Sequence, residues 1–305
     1  MGELLRNIFL SLSENEFLTN AAEKHGLRMG ASRFVAGESI EQAVEVVKKL
    51  NENGMVTTIN HMGEHVKNKD DAGKSADEYI RLIKAIENNK LDSRVSLKLT
   101  SIGLDVADEI AMDNMRRILE AAKESNVSVT IDMEDSERCG RILDIFKGLR
   151  EEYDNVGTVL QSYLYRTEND LDELKDLDPF LRFVKGAYKE PPEVAFQDKK
   201  DILENLKNIT KTHLLNDNYA AIATHDDSII DFTKEFAKEH NIPHDQFEFQ
   251  MLYGIHTQRQ EVLVNEGYTM RIYVPYGKDW YGYYMRRLAE RPSYVGLVVK
   301  SMFGR

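Results

Sequence analysis

The chain is short of several things at once, and each shortage excludes something. It has one cysteine, Cys139, only 6 prolines, and no apolar run near the roughly 18 residues of a membrane-crossing helix. A lone cysteine forbids an intrachain disulfide and fits a reducing compartment, so the cytoplasm is expected. No proline-rich hinge or low-complexity linker divides the 305 residues. One domain over 1–305 is therefore expected, with N-terminal helices over 1–54 and the main body over 55–305. Basic charge is scarce too: 40 Lys and Arg stand against 52 Asp and Glu, a formal charge of -12. That balance argues against a nucleic-acid partner, because such binding rests on neutralising phosphates. The opening stretch is too short and too soon interrupted for a signal peptide or membrane span. LLRNIFL near the start and YVGLVVKSMF near the end are the only weak candidates for a peripheral membrane contact, and ordinary core-facing segments explain them more simply.

Missing motifs narrow the chemistry further. No GxGxxG follows a strand, and GLRMGAS from Gly26 lacks a convincing strand before it, so a dinucleotide bound in Rossmann fashion is not indicated. The eight histidines include neither HExxH nor a Cys/His cluster, and His61, His65 and His225 are scattered, which leaves the metal case weak. No GxSxG elbow supports a catalytic serine.

What is present is a packed globular composition, 42% hydrophobic and 30% charged, arranged in a repeating order. Apolar, β-branched or aromatic runs alternate with longer charged segments of helical spacing. The runs are MVTTINHM from Met55, VSLKLT from Val95, VSVTIDM from Val127, VGTVLQSYL from Val156, LRFVKGAY from Leu181, AAIATHD from Ala220, FEFQMLYG from Phe247 and TMRIYVPYG from Thr269. Segments such as SADEYIRLIKAIENN and SIIDFTKEFAKEH carry apolar residues at i, i+3, i+4 and i+7. Such alternation over about 250 residues predicts a parallel sheet closed into a (β/α)8 TIM-type barrel, with an open doubly wound sheet as the alternative. SIEQAVEVVKKLNENG would be an extra N-terminal helix, and the segment after the last strand a C-terminal helix over the barrel mouth.

In a barrel of this kind, active sites gather at the C-terminal ends of the strands. Nearly every predicted strand ends there in polar residues: Asn60 and His61, Lys98, Asp132 and Glu134, Gln161, Lys185 to Tyr188, Thr224 and His225, Gln250, and Tyr273. Singly, each could be a strand-end cap or structural hydrogen-bond partner. Lys98 and Asp132 fall at the ends of adjacent strands and are expected to pair, either as a structural ion pair or to tune the charge around a substrate amine. On the last predicted helix, Tyr283, Arg286 or Arg287, and Glu290 share a face. Two guanidiniums among tyrosines suit a carboxylate clamp, because arginine offers forked donors that stay charged at any working pH. The residues alone leave other readings open: an aldolase or lyase using Lys98 or Lys185 as a Schiff-base amine, or a binding module without turnover.

The ordered set SLKLT, TIDME, VLQSYL, RFVKGAY, ATHD, FEFQMLYG and RIYVPYG…YYMRRLAERP, with RFVAGES nearer the N-terminus, resembles the proline dehydrogenase family through nearly the whole chain. KGAYKEPPE looks like its monofunctional bacterial branch. The resemblance implies FAD held noncovalently across the strand ends, with Arg182, Val184, Lys185, Gly186 and Ala187 along the flavin and Gln161, Thr224, His225 and Glu290 on other parts of the cofactor. It also implies that L-proline is oxidised to pyrroline-5-carboxylate by hydride transfer from its C5. Lys98, Asp132, Tyr188, Leu252, Tyr273, Tyr283, Arg286 and Arg287 would then form the substrate site. Lys98, Asp132 and Arg182 are the residues expected nearest the reaction. Electrons would pass to a membrane quinone, with pyrroline-5-carboxylate dehydrogenase as a candidate partner for the product. One departure is Lys189, where bifunctional members usually carry tryptophan, which puts the flavin packing there in question.

Overall fold

A computed structural model describes residues 31–63, 65–177 and 180–290, with Ala289 and Glu290 described by backbone alone. The expected helices before Ala31, the two apolar end segments and the Glu290 side chain lie outside the described residues. In chain order the elements are α1 (Ile40–Glu52), β1 (Val56–His61), α2 (Lys69–Asn88), β2 (Ser93–Leu97), α3 (Asp108–Glu124), β3 (Val129–Ile131), α4 (Ser136–Glu152), β4 (Val156–Gln161), α5 (Thr167–Leu174), β5 (Phe180–Val184), α6 (Lys199–Leu215), β6 (Ala220–Ala223), α7 (Asp227–Glu239), β7 (Phe247–Leu252), α8 (Thr257–Asn265), β8 (Met270–Tyr276) and α9 (Trp280–Glu290). The eight strands pair in sequence order, all parallel, and β8 closes on β1. The expected closed barrel forms, and the open-sheet alternative falls.

Helix starts follow short polar side chains in the loops leading from strand to helix. Asn68 accepts from the Asp71 N–H at 2.9 Å, Asp135 from Arg138 at 3.1 Å and Asp198 from Lys200 at 2.7 Å, each satisfying a donor the helix cannot satisfy itself. Each helix then turns one stripe inward. On α2 the buried set is Ala72, Ala76, Tyr79, Leu82, Ile83 and Ile86, which recurs every three or four residues, with Leu82 and Ile83 side by side, as one helical face requires.

The strands divide their side chains between two environments. Val95 and Leu97, Val129 and Ile131, Leu181 and Phe183, and Ile272 and Val274 are buried in the main apolar core, facing outward under the helices. The alternate positions face the lumen, and there the barrel is polar. Arg94 on β2 lies 3.3 Å from Glu248 on β7, although those strands are not neighbours, so the contact crosses the interior. Arg271 donates to Glu248 at 2.8 Å and to the Thr57 carbonyl at 2.6 Å. The Tyr219 hydroxyl and the Gln250 amide complete the shell of Glu248 at 2.8 and 2.5 Å. Gln250, expected at the mouth, is thus spent on this lower layer, because its side chain is drawn to the buried carboxylate.

Burial pushes the Glu248 carboxyl upward, but the two guanidiniums outweigh it and bring it down to about 2. Replacing Glu248 with Gln leaves two buried cations short of their counter-charge and is expected to cost about 3–5 kcal/mol in urea unfolding. The folded carboxyl titrates below the ~4.3 of an unfolded glutamate. Its contribution is therefore complete above about pH 4.3 and lost as pH falls towards 2. Unfolding free energies between about pH 5 and pH 2.5 should fall more steeply for the wild type than for Glu248→Gln.

Candidate active site

One pleat above the Glu248 layer, a second polar layer gathers side chains from four strands. Arg182 on β5 contacts Asp132, just past β3, with Nη1 to Oδ1 at 2.5 Å. Ser96 on β2 donates to the same Oδ1 at 2.6 Å and accepts from both Arg182 terminal nitrogens at 3.2 Å. The Tyr273 hydroxyl on β8 donates to Asp132 Oδ2 at 2.7 Å. The Arg182 guanidinium also lies 5.4 Å from the centre of the Tyr273 ring. Asp132 and Arg182 are 8% and 4% exposed, so charges almost cut off from water are satisfied by one another and by two hydroxyls. Burial first, and then the Asp132 carboxylate, push the Tyr273 phenol well above its ordinary range, keeping it a protonated donor at any working pH.

Lys98 directly follows β2, level with Asp132 because Leu97 pairs with Ile131. The expected adjacency of the two strand ends is present, but the cation on Asp132 is Arg182. A long guanidinium reaching across the lumen from β5 supplies forked donors that a neighbouring lysine lacks. Asn60 donates to the Ser96 carbonyl at 3.0 Å, a strand-end bond. Glu134 accepts from the Thr100 amide and hydroxyl at 3.1 and 2.5 Å. Gln161 donates to the Glu134 carbonyl at 2.8 Å, so Glu134 and Gln161 tie three successive strand ends together.

Beyond β5 the chain lies flat on the loop after β4. The Ser162 and Tyr163 amides donate to the Val184 and Lys185 carbonyls at 2.8 and 3.0 Å. Gly186 has φ +107°, and a Cβ there would sit 2.3 Å from the Tyr163 ring, so only glycine fits. Lys185 and Ala187 are exposed while Val184 and Tyr188 are half-buried. Glu190 holds the far side of this loop by accepting from the Ser136 amide at 2.8 Å, at the start of α4. At the end of β6, the Thr224 amide donates to the Gln250 carbonyl at 3.1 Å. His225 Nε2 accepts from the Leu252 amide at 3.1 Å, which requires the proton to sit on Nδ1. On α9 the Arg287 guanidinium stacks 5.0 Å above the Tyr283 ring, and Arg286 is exposed.

The profile described as Proline dehydrogenase matches residues 43–298. Proline dehydrogenase 2 of Bacillus subtilis strain 168 is 50% identical over 299 residues, covering 98% of this chain and 99% of that one. The chain belongs to the proline dehydrogenase family. Proline dehydrogenase of Deinococcus radiodurans is 41% identical over 307 residues, covering 99% of both chains. Among solved structures, proline utilization A of Bdellovibrio bacteriovorus, inactivated by N-propargylglycine, superposes with a TM-score of 0.84 at 25% identity. That match covers 99% of this chain and 38% of the longer one. The full-length matches to single-function relatives agree with the monofunctional branch that KGAYKEPPE suggests.

Reading the strand ends alone misses Ser96 and Glu190. Ser96 carried a usable signal, since in VSLKL it alternates with Lys98 and so shares its lumen-facing side. Glu190 carried none, because its partner Ser136 lies 54 residues away. Ser96→Ala removes one hydroxyl that serves two buried charges and is expected to lower stability by about 1.5–3 kcal/mol in urea unfolding. A loss below about 0.5 kcal/mol, the range of ordinary surface changes, would show that water replaces the hydroxyl.

Proposed function

We propose that this family member oxidises L-proline to pyrroline-5-carboxylate with noncovalent FAD. The observation carrying this reading is the Ser96–Asp132–Arg182–Tyr273 layer at the C-terminal mouth, with Tyr283 and Arg287 stacked on the helix that follows β8.

The residues present fit a flavin. Arg182 Nε is buried and has no hydrogen-bond partner among the described residues, leaving a cationic donor for an electron-rich ring. Gly186, packed on the Tyr163 ring, fixes the loop that carries Lys185 and Ala187 at the mouth. His225 is held at the end of β6 by the Leu252 amide, which donates to its Nε2. Arg182, Val184, Lys185, Gly186 and Ala187 would hold the ring system, and Gln161, Thr224, His225 and Glu290 the remainder. When bound, the flavin supplies the two-electron acceptor for the hydride leaving proline C5.

The chain's own groups bind and orient. Arg286 and Arg287 hold the substrate carboxylate through forked donors. Tyr188, Leu252, Tyr273 and Tyr283 enclose the apolar ring and exclude water. Lys98 and Asp132 order the amine end, and solvent water accepts the amine proton. Asp132 keeps its orientation there because Arg182, Ser96 and Tyr273 bind both of its oxygens. No described helix is long and apolar enough to cross a membrane, so electron delivery to a membrane quinone takes a peripheral contact. Pyrroline-5-carboxylate dehydrogenase is the candidate acceptor of the product.

Yellow absorbance that bleaches when proline is added without oxygen checks cofactor and half-reaction together. A colourless protein, inert after FAD is supplied, would return attention to Lys98 and Lys185 as Schiff-base amines. Arg286→Met or Arg287→Met is expected to weaken proline binding by about 2–4 kcal/mol with the flavin retained, and unchanged kinetics would remove that residue from the site. Tyr273→Ser should raise the preference for hydroxyproline over proline about tenfold or more, as measured by the ratio of kcat/KM values.

A further inference from the structure

The RFVAGES segment, from Arg33, has no part in the reading above, yet the structure places it at the base of the arginine helix. Its neighbour α9 buries Trp280, Tyr281, Tyr284, Met285 and Leu288 in a small apolar cluster separate from the barrel core. The other members of that cluster are Ala31, Phe34, Val35, Met62 and Ile255. Among the described residues the helix is therefore located by Ala31 and the RFVAG stretch, by the loops that hold Met62 and Ile255, and by Leu252 at the end of β7. Phe34 is fully buried, with its ring 6.1 Å from that of Tyr284.

Three backbone contacts fix the stretch itself. The Ala36 amide donates to the Pro275 carbonyl at 2.8 Å, and the Gly277 amide donates back to the Gly37 carbonyl at 3.0 Å. This reciprocal pair straps the stretch to the junction between β8 and α9. On its other side the Arg33 carbonyl lies against Gly254, where a Cβ would come within 1.9 Å of it and where φ is +74°. The stretch is thus wedged between the loop after β7 and the helix that carries Arg286 and Arg287.

We propose that residues 33–37 are a positioning seat for carboxylate recognition, setting where α9 holds its two arginines; this rests on the clamp assigned to Arg286 and Arg287 above. Forked donors recognise a carboxylate only when held within about 0.5 Å of the productive geometry. A helix whose apolar face leaves the barrel core needs a separate support for that precision. Phe34 and Gly254 act through the helix and touch no substrate.

The test uses the flavin-loaded full chain and tetrahydrofuran-2-carboxylate, a ring carboxylate with no amine to oxidise, titrated calorimetrically. Two variants loosen the seat independently: Phe34→Leu reduces the packing under Tyr284, and Gly254→Ala pushes the Arg33 carbonyl away. The only tryptophan of the chain is Trp280, so its emission reports the packing of the seat directly. Both variants should bind the probe roughly tenfold more weakly, with a red-shifted Trp280 emission and undiminished flavin content. A proline KM raised by a similar factor, with kcat within about twofold, should accompany this. Unchanged probe affinity in either folded, flavin-loaded variant, whatever its thermal midpoint, overturns the seat. A wild-type protein that does not bind the probe overturns the carboxylate clamp itself, and the seat with it.

Discussion

A carboxylate withdrawn from water must find its partners inside the protein, and Asp132 finds them on three other strands. Arg182 from β5, Ser96 from β2 and Tyr273 from β8 meet on its two oxygens. The arrangement exists only because the sheet closes, since β2, β5 and β8 are brought within side-chain reach across a lumen. It also decides what the mouth can do. With both oxygens of Asp132 engaged, the carboxylate is a fixed anion beside the place where Lys98 stands, and the Arg182 guanidinium is held by its two terminal nitrogens. A preorganised pair of charges of this sort aids a reaction by orienting the substrate without having to reorganise during it.

The layer below has a different duty. Arg94, Arg271 and Glu248 occupy a lumen that apolar residues fill in many barrels of this architecture. Glu248 is fully buried, yet the charges of Arg271 and Arg94, with hydrogen bonds from Arg271 and Gln250, leave it ionised. The strands carry these charges at alternate positions, so each β-strand faces apolar helices on one side and an ionic interior on the other. Replacement of a whole buried ion cluster by apolar residues can be neutral in other proteins. Here the cluster also supports the layer around Asp132, because Arg94 and Ser96, and Arg271 and Tyr273, are successive lumen-facing residues of the same strands.

At the mouth stand parts of the chain that the barrel only loosely specifies. Gly186 is pressed against Tyr163, Glu190 anchors the same loop to α4, and α9 rests on a separate apolar cluster. Loops and the helix after β8 can therefore be adjusted to a ligand while the closed sheet stays as it is.

Much of this was legible in the residues themselves. Alternating strand and helix patterns indicated a closed parallel barrel, and polar strand ends such as Asp132, Gln161 and Tyr273 marked one rim, because periodicity and strand-end placement depend on residues close together in the chain. The motif order led to the family for the same reason. Tertiary structure alone decided that Asp132 is bound by Arg182, that Gln250 serves Glu248, and that Phe34 lies under Tyr284. Those pairings join residues 50 or more positions apart or reverse an expected direction. They follow from barrel closure and the cost of leaving a buried charge unsatisfied, and local sequence records neither.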